Sequence, residues 1–111
     1  MLFRSALYNN TTTDSVVAVG WAAGYSKTTT GSNYAQTYVG TKAGYSNTTG
    51  IDNTYIGGYA GYTSTGSYNT VLGSGALYSN TTASNNTAVG YQAGYSNTTG
   101  TQNTYIGRSA G

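Results

Sequence analysis

The chain has 111 residues, a formal net charge of +2 and only 5% charged residues, whereas a soluble domain usually has about 25%. Its four cations are scattered, so no basic stripe can follow a phosphate backbone, and nucleic acid is not an expected partner. There is no Cys, and no apolar run approaches the roughly 18 residues of a membrane span, so we expect neither disulfides nor membrane insertion.

One unit of 17 residues, Asn86–Gln102, recurs along the sequence and begins again at Asn103. Seven partial or complete copies align on an apolar–Gly–x–x–Ala core with a Tyr two residues later, although Phe3 replaces the Gly of the first copy and the last copy has no Tyr. One step between copies has 20 residues and one has 16, and both changes fall in the Thr/Asn/Gly segment, which is typical of the loop side of a repeat. We predict one repeat domain over 1–111, with a partial coil 1–14, coils 15–34, 35–52, 53–68, 69–85 and 86–102, and a partial coil 103–111.

The repeated core predicts an all-β chain. Gly recurs every few residues, and Thr, Tyr, Val and Asn are poor helix formers. The segment 103–106 is expected to be a short strand, 93–96 a second strand, and the Gly-bearing segments between them turns. A coil of this length with two or three short strands is the natural unit of a β-solenoid, or parallel β-roll, here with about seven coils of 16–20 residues.

The alignment of the copies defines the expected core. We expect an apolar column and an alanine column to face the interior, and a column of tyrosines to stack from coil to coil. The apolar column contains Val19, Val39, Ile56, Leu72, Val89 and Ile106. The alanine column contains Ala23, Ala43, Ala60, Ala76 and Ala93. The tyrosine ladder contains Tyr8, Tyr25, Tyr45, Tyr62, Tyr78 and Tyr95.

Such a core is thin for a single chain, since each coil offers one aliphatic side chain, one Ala and the flank of one Tyr. Burying them contributes roughly 3–5 kcal/mol, against roughly 1–2 kcal/mol per residue for ordering the chain. The sequence therefore predicts that the partner is the chain itself, as a homotrimer or as a head-to-tail filament.

Catalytic chemistry is poorly supplied, and we expect no enzyme activity, no cofactor and no metal. The chain has no His, no Cys and no Glu, and Asp14 and Asp52 are about two coils apart, too far for a carboxylate pair. Calcium-binding repeats need an Asp in every turn, which most copies lack. The Gly-rich turns are not followed by Lys-Ser/Thr, so they are not phosphate loops.

The side chains outside the ladder suggest surface functions. Aromatic residues in variable positions are candidates for surface contacts, including a cell-surface glycan, and are Trp21, Tyr34, Tyr59, Tyr68 and Tyr91. A column of Thr54, Thr70, Thr87 and Thr104 suggests an ice-binding face. Asn-Thr-Thr glycosylation patterns begin at Asn10, Asn47, Asn80 and Asn97.

The repeats resemble a known kind of protein. The segment 86–100, NTAVGYQAGYSNTTG, resembles the repeats of phage-type tail-fibre and related bacterial surface proteins, and its AVGxxA core is similar to the head repeats of trimeric autotransporter adhesins. The resemblance covers nearly the whole chain, although the 17-residue period is longer than that of the adhesin heads. It implies a β-roll that works as a trimer in an extracellular setting, as a virion tail fibre or a cell-surface filament.

These observations lead to two expected functions. The first is a structural fibre or adhesion module, a repeat rod that associates with itself. The alternative is a β-solenoid that binds ice or a glycan through a flat face of Thr or Tyr.

Overall fold

The computed structural model describes residues 4–11, 15–28 and 34–111, and it confirms the predicted all-β solenoid. Six short strands form one parallel sheet in chain order. Six strands give about five turns, slightly fewer than the seven copies counted in the sequence. The strands are β1 (Val16–Val19), β2 (Gln36–Val39), β3 (Thr54–Ile56), β4 (Thr70–Leu72), β5 (Thr87–Val89) and β6 (Thr104–Ile106).

Within the described residues each coil has one strand, not the two or three expected. The Ala-Gly-Tyr segment predicted as a second strand is a turn, because its Gly takes a left-handed conformation, with φ 59° at Gly44. This turn still continues the backbone hydrogen bonding between coils. The Gly44 N–H donates to the Ala60 carbonyl at 2.9 Å, and the Ser46 N–H donates to the Tyr62 carbonyl at 3.0 Å. Backbone pairing therefore stabilises two sides of each coil although only one is extended.

The Gly that follows each of the strands β1 to β5 is required by both conformation and space. Gly40 and Gly57 have φ values of 131° and 134°, which side-chain-bearing residues rarely adopt. A Cβ atom on Gly40 would lie 2.6 Å from the carbonyl carbon of Gly57 in the next coil. The chain can turn out of the sheet and still stack at strand spacing only because this column lacks side chains.

The residue before the last one in each strand, here called the middle residue, faces the interior. This corrects the predicted core. Tyr38, Tyr55 and Val71 are fully buried. The apolar column Val19, Val39, Ile56, Leu72, Val89 and Ile106 follows the middle residue directly and therefore lies on the opposite, outer face of the sheet. Ile56, Leu72 and Ile106 are 36%, 49% and 69% exposed, and the three valines are half-buried. Opposite the strands, the alanine column Ala23, Ala43, Ala60, Ala76 and Ala93 is buried in the core.

Large and small residues alternate across this interior. The Tyr38 and Tyr55 rings pack over Gly44 and Gly61, where no Cβ would fit. In the coil of β4, the smaller Val71 fills the strand position and Leu77 replaces the glycine of the facing turn. Tyrosine rings thus fill a core that the sequence suggested would be thin, and the single chain closes its own interior.

Asparagine side chains form a second, polar part of the core that the sequence analysis missed. Asn53 Oδ1 accepts from the Asn69 N–H at 2.8 Å, Asn69 Oδ1 from the Asn86 N–H at 3.0 Å, and Asn86 Oδ1 from the Asn103 N–H at 2.9 Å. Gln36 occupies the equivalent place in the coil of β2 and accepts from the Asn53 N–H. These side chains, the Asn ladder, satisfy the backbone donors at the entrances of four strands, β3 to β6. The signal was present, since an Asn or Gln precedes the Thr of five strands.

Candidate functional site

The tyrosine ladder runs along the coils as a continuous stack of rings. The centroids of neighbouring rings are 5.0 to 5.3 Å apart, and their planes differ by 2° to 21°. These distances fit offset stacking of aromatic rings. The end rings, Tyr8 and Tyr95, are exposed, and the four between them are half-buried. The ladder is therefore both a packing element and one wall of the surface.

Beside the ladder lie the exit turns, by which we mean the two residues that directly precede the repeated Ala of each copy. Their second residue has φ between 53° and 66° in every copy. The backbone is thus repeated, whereas the side chains differ from coil to coil. Three of the four cations and the one Trp occur in these turns. The exit turns are Arg4-Ser5, Trp21-Ala22, Thr41-Lys42, Gly58-Tyr59, Ser74-Gly75, Tyr91-Gln92 and Arg108-Ser109.

Lys42 stands at the centre of an aromatic cluster on this side of the rod. Its ammonium lies 5.1 Å from the centroid of the Trp21 ring and 5.6 Å from that of Tyr59. The ladder tyrosines Tyr45 and Tyr62 lie at 5.5 and 5.8 Å from the same nitrogen. Four ring faces hold one cation in place by cation–π attraction, so the charge is fixed more firmly than on an ordinary surface Lys.

Two grooves open between the exit turns and the ladder. The larger, of about 520 Å³, is lined by Arg4, Ser5, Trp21, Lys42 and the ladder rings Tyr25 and Tyr45. The smaller, of about 190 Å³, is lined by Tyr59, Tyr78, Tyr91, Gln92 and Tyr95 and contains no charged residue. The same scaffold therefore presents a cationic aromatic groove in the first coils and a neutral aromatic groove in the later ones.

The predicted surface aromatics are all exposed, but the structure does not gather them into one site. The Trp21 and Tyr59 rings both lie within 6 Å of the Lys42 ammonium. The Tyr91 ring lies beside Arg108, whose Cζ is 6.0 Å from the ring centroid. Tyr34 and Tyr68 are exposed and take no part in either groove. Sequence reasoning also missed Lys42 and Arg4, which stand out only when the variable turn positions are aligned by themselves.

The outer face of the sheet is the second candidate surface. It carries two columns, because the first and third residues of the three-residue strands both point outward. One is the aliphatic column. The other is a threonine column that extends the predicted one by one residue, since Thr37 pairs with Thr54 in register. Its members are Thr37, Thr54, Thr70, Thr87 and Thr104.

Two of the predicted glycosylation sites lie inside the fold. The side chains of Asn47 and Asn80 are fully buried. Asn80 Nδ2 donates to the Ala83 carbonyl at 3.0 Å and to Ser64 Oγ at 2.9 Å. A glycan has no room there, so the prediction is corrected for these two residues. Asn10 and Asn97 are half-buried, and for them glycosylation stays a prediction.

Three buried ionisable groups have shifted pKa values. Burial lowers the pKa of Lys27, whose ammonium donates to the Gly50 carbonyl, from 10.5 to about 8. Burial raises the pKa of Tyr55 from 10.0 to about 12, an effect partly offset by hydrogen bonds with Ser64 and Asn69. Burial, assisted by Tyr55, raises the pKa of Tyr38 well above 10.0. All three belong to the core and affect stability.

The described residues contain no cluster of three His, Cys, Asp or Glu side chains that could hold a metal ion. The Asp52 carboxylate accepts a hydrogen bond from the Ala35 N–H at 3.0 Å, and Asp14 lies outside the described residues. In 4–11, 15–28 and 34–111 the search for a helix with the length and apolarity of a membrane span finds none.

Comparisons with protein-family models, with curated proteins and with solved structures give no match. The fold and the two surfaces therefore carry the functional argument by themselves.

Proposed function

We propose that this chain is a structural rod that associates with copies of itself, the repeat segment of an extracellular fibre or filament with an adhesive role. The observation that carries the proposal is the aliphatic column on the outer face of the sheet. Leu72 and Ile106 are 49% and 69% exposed in the single chain. Because the strands stack in register, the aliphatic side chains form a continuous apolar stripe, and burying it against another copy would remove it from water.

The electrostatics of the chain favour association. A formal net charge of +2 on 111 residues gives little repulsion between copies. The Thr side chains beside the stripe carry hydroxyl groups that can pair across an interface without burying a charge. Two copies can therefore approach with little electrostatic repulsion and without the cost of burying charged side chains.

The aliphatic stripe is too small to form a stable interface by itself. Five strand spacings of about 4.8 Å and a width of three residues give a face of roughly 24 by 10 Å. A stable interface usually buries about 800 Å² per partner, several times this footprint. Each chain must therefore use neighbouring surfaces as well, as in a homotrimer around a shared axis or in a filament with many repeated contacts.

A double variant tests the proposal. Leu72→Asp with Val89→Asp places charges on the outer face without touching the core, and it should convert the native assembly to single chains. The matched control is Tyr91→Ser, which alters an exposed ring in an exit turn. We expect that control to keep the native mass. Light scattering behind a sizing column gives the mass of each, and equal masses for all three proteins would reject the outer face as the interface.

The threonine column favours ice binding as a second candidate function. Five Thr residues stand in register on parallel strands, with aliphatic side chains beside them. A flat surface with regularly spaced hydroxyl and methyl groups can order water as a lattice does. Thermal hysteresis of the native protein that disappears when Thr54, Thr70, Thr87 and Thr104 become Lys would establish it, and its absence from the native protein would exclude it.

A further inference from the structure

We propose that the larger groove binds an acidic saccharide, a sugar unit that carries a carboxylate. This inference goes beyond the role of the rod and does not depend on how the chains assemble. The site is formed by Lys42, Arg4 and Trp21, with the ladder rings Tyr25 and Tyr45 as its wall.

The charges of the groove call for an anion. Its lining contains two cations, Arg4 and Lys42, and no acidic residue. The one acid among the described residues, Asp52, is engaged with the backbone of Ala35 outside this groove. An incoming carboxylate would meet a guanidinium and an ammonium that have no carboxylate counterion within 4–11, 15–28 and 34–111, and charge-assisted hydrogen bonds are the strong ones.

The rings of the groove call for a sugar. Trp21 is 47% exposed although Lys42 lies over its ring, so part of its apolar surface remains open to a ligand. The apolar C–H face of a pyranose ring packs well on indole and phenol rings, and the Ser5 hydroxyl adds a donor and acceptor at the edge. The volume of about 520 Å³ is within the usual range for small-molecule sites, and it suits one or two sugar units.

The backbone conformation of Lys42 decides which variant can replace it. This residue has φ 55°, a left-handed conformation that disfavours side chains. The equivalent position in another coil is Gly75, with φ 66°, so the turn accepts Gly there. The same conformation occurs at Ser5, Ala22, Tyr59, Gln92 and Ser109. It therefore belongs to the repeat, and a Lys42→Gly variant removes the side chain without straining this turn.

The arrangement favours a saccharide over a nucleic acid. Tracking a phosphate backbone requires a run of cations, and only two are present in the groove. The neutral groove farther along the ladder continues the ring surface without charge, which would suit the uncharged units of a longer glycan. Nucleic acid is therefore the outcome that the experiment has to exclude.

The one Trp of the chain lies in the groove and reports binding directly. The full chain is titrated with trigalacturonic acid, with its methyl ester as the uncharged probe, at physiological ionic strength, and Trp21 fluorescence is followed. We expect a saturable change with the acid and at least about tenfold weaker binding of the ester, because the ester cannot form the charge-assisted hydrogen bonds.

A matched pair of variants locates the site. Lys42→Gln and Arg108→Gln each remove one positive charge from an exit turn, but only Lys42 lines the groove. Lys42→Gln should weaken binding of the acid about tenfold or more, whereas Arg108→Gln should leave it unchanged. Lys42→Gly removes the same side chain from a backbone that favours Gly, so it gives the same test if the Gln variant folds poorly.

Several results would overturn the proposal. Equal binding of the acid and its ester would mean that no carboxylate is recognised. Equal losses in the Lys42 and Arg108 variants would mean that binding follows net charge and not the groove. Tighter binding of a short oligothymidylate than of the acid would assign the groove to single-stranded nucleic acid, and no fluorescence change with any probe would reject it as a binding site.

Discussion

At the scale of the residue, the buried ionisable groups give this protein an unusual dependence on pH. The folded chain lowers the pKa of Lys27 to about 8, so between about pH 8 and 10.5 the unfolded state binds more protons and stability should rise with pH. The folded chain raises the pKa of Tyr55 to about 12, so above pH 10 the unfolded state releases protons and stability should fall.

We therefore predict a maximum of stability near pH 10. Urea unfolding at pH 7, 9, 10 and 11 gives the free energy of unfolding at each point. Lys27→Met should remove the rise below pH 10, and the Gly50 carbonyl keeps the hydrogen bond from Gln36 Nε2 at 2.7 Å. Stability that is flat or falling between pH 8 and 10 in the native protein would contradict this interpretation of Lys27.

Two adjacent glycines, Gly57 and Gly58, test whether the backbone requires the glycine column. Gly57 has φ 134°, and a Cβ there would lie 2.6 Å from the carbonyl carbon of Gly73, whereas a Cβ on Gly58 would meet only Ser74 Oγ at 3.9 Å. We predict that Gly57→Ala lowers the free energy of unfolding by about 2 kcal/mol or more, while Gly58→Ala changes it by less than about 0.5 kcal/mol. Chemical denaturation of the two variants checks this, and similar losses at both positions would show that the close approach of coils is not what the glycine column serves.

At the scale of the element, the strand pattern shows what a sequence can and cannot tell. The repeat period placed the one strand of each coil, since self-similarity fixes where each coil begins, but the second strand expected at 93–96 is a turn. It did not decide which face is buried. In Thr54-Tyr55-Ile56 two adjacent residues are apolar, and a three-residue strand is too short for alternation to choose between them.

Packing across the interior makes that choice. Ala88 is buried while the more hydrophobic Val89 lies on the outer face, so hydrophobicity alone would assign this strand the wrong way round. Leu77 belongs to the same core cluster as Ala88, and Tyr105 of the following strand packs against that cluster. Both side chains pack over Gly94 in the turn of the β5 coil. In the coil of β4, Leu77 replaces the Gly of the turn that faces the smaller Val71. This compensation in size is visible in the sequence only when the strand column and the turn column are compared.

Adjacent residues of β4 test the assignment of the two faces. Val71 is fully buried and Leu72 is 49% exposed. We predict that Val71→Asp abolishes the folded state, because an unpaired charge in the core costs several kcal/mol. Leu72→Asp should keep the circular dichroism of the native chain, because a charge on the outer face leaves the core of the single chain intact. A folded Val71→Asp protein, or an unfolded Leu72→Asp protein, would place the core on the other face.

At the scale of the whole molecule, the two candidate surfaces lie on different elements of the solenoid. The strands carry the aliphatic and threonine columns, and the exit turns carry the charged and aromatic residues. The first surface suits contacts between copies, and the second suits contacts with a ligand. The sequence indicated self-association for a different reason, a core too thin for one chain; the tyrosines and the Asn ladder fill that core, and the case for assembly now rests on the exposed stripe.

The central claim is that copies of this rod associate through the outer face of the sheet. The measurement that tests it most directly is the mass of the native protein in solution, by light scattering behind a sizing column, with negative-stain images of the same fraction. We predict particles of about three chains or uniform threads, in either case well above the 11.4 kDa of one chain. A single species at the mass of one chain, unchanged across the concentration range, would contradict it.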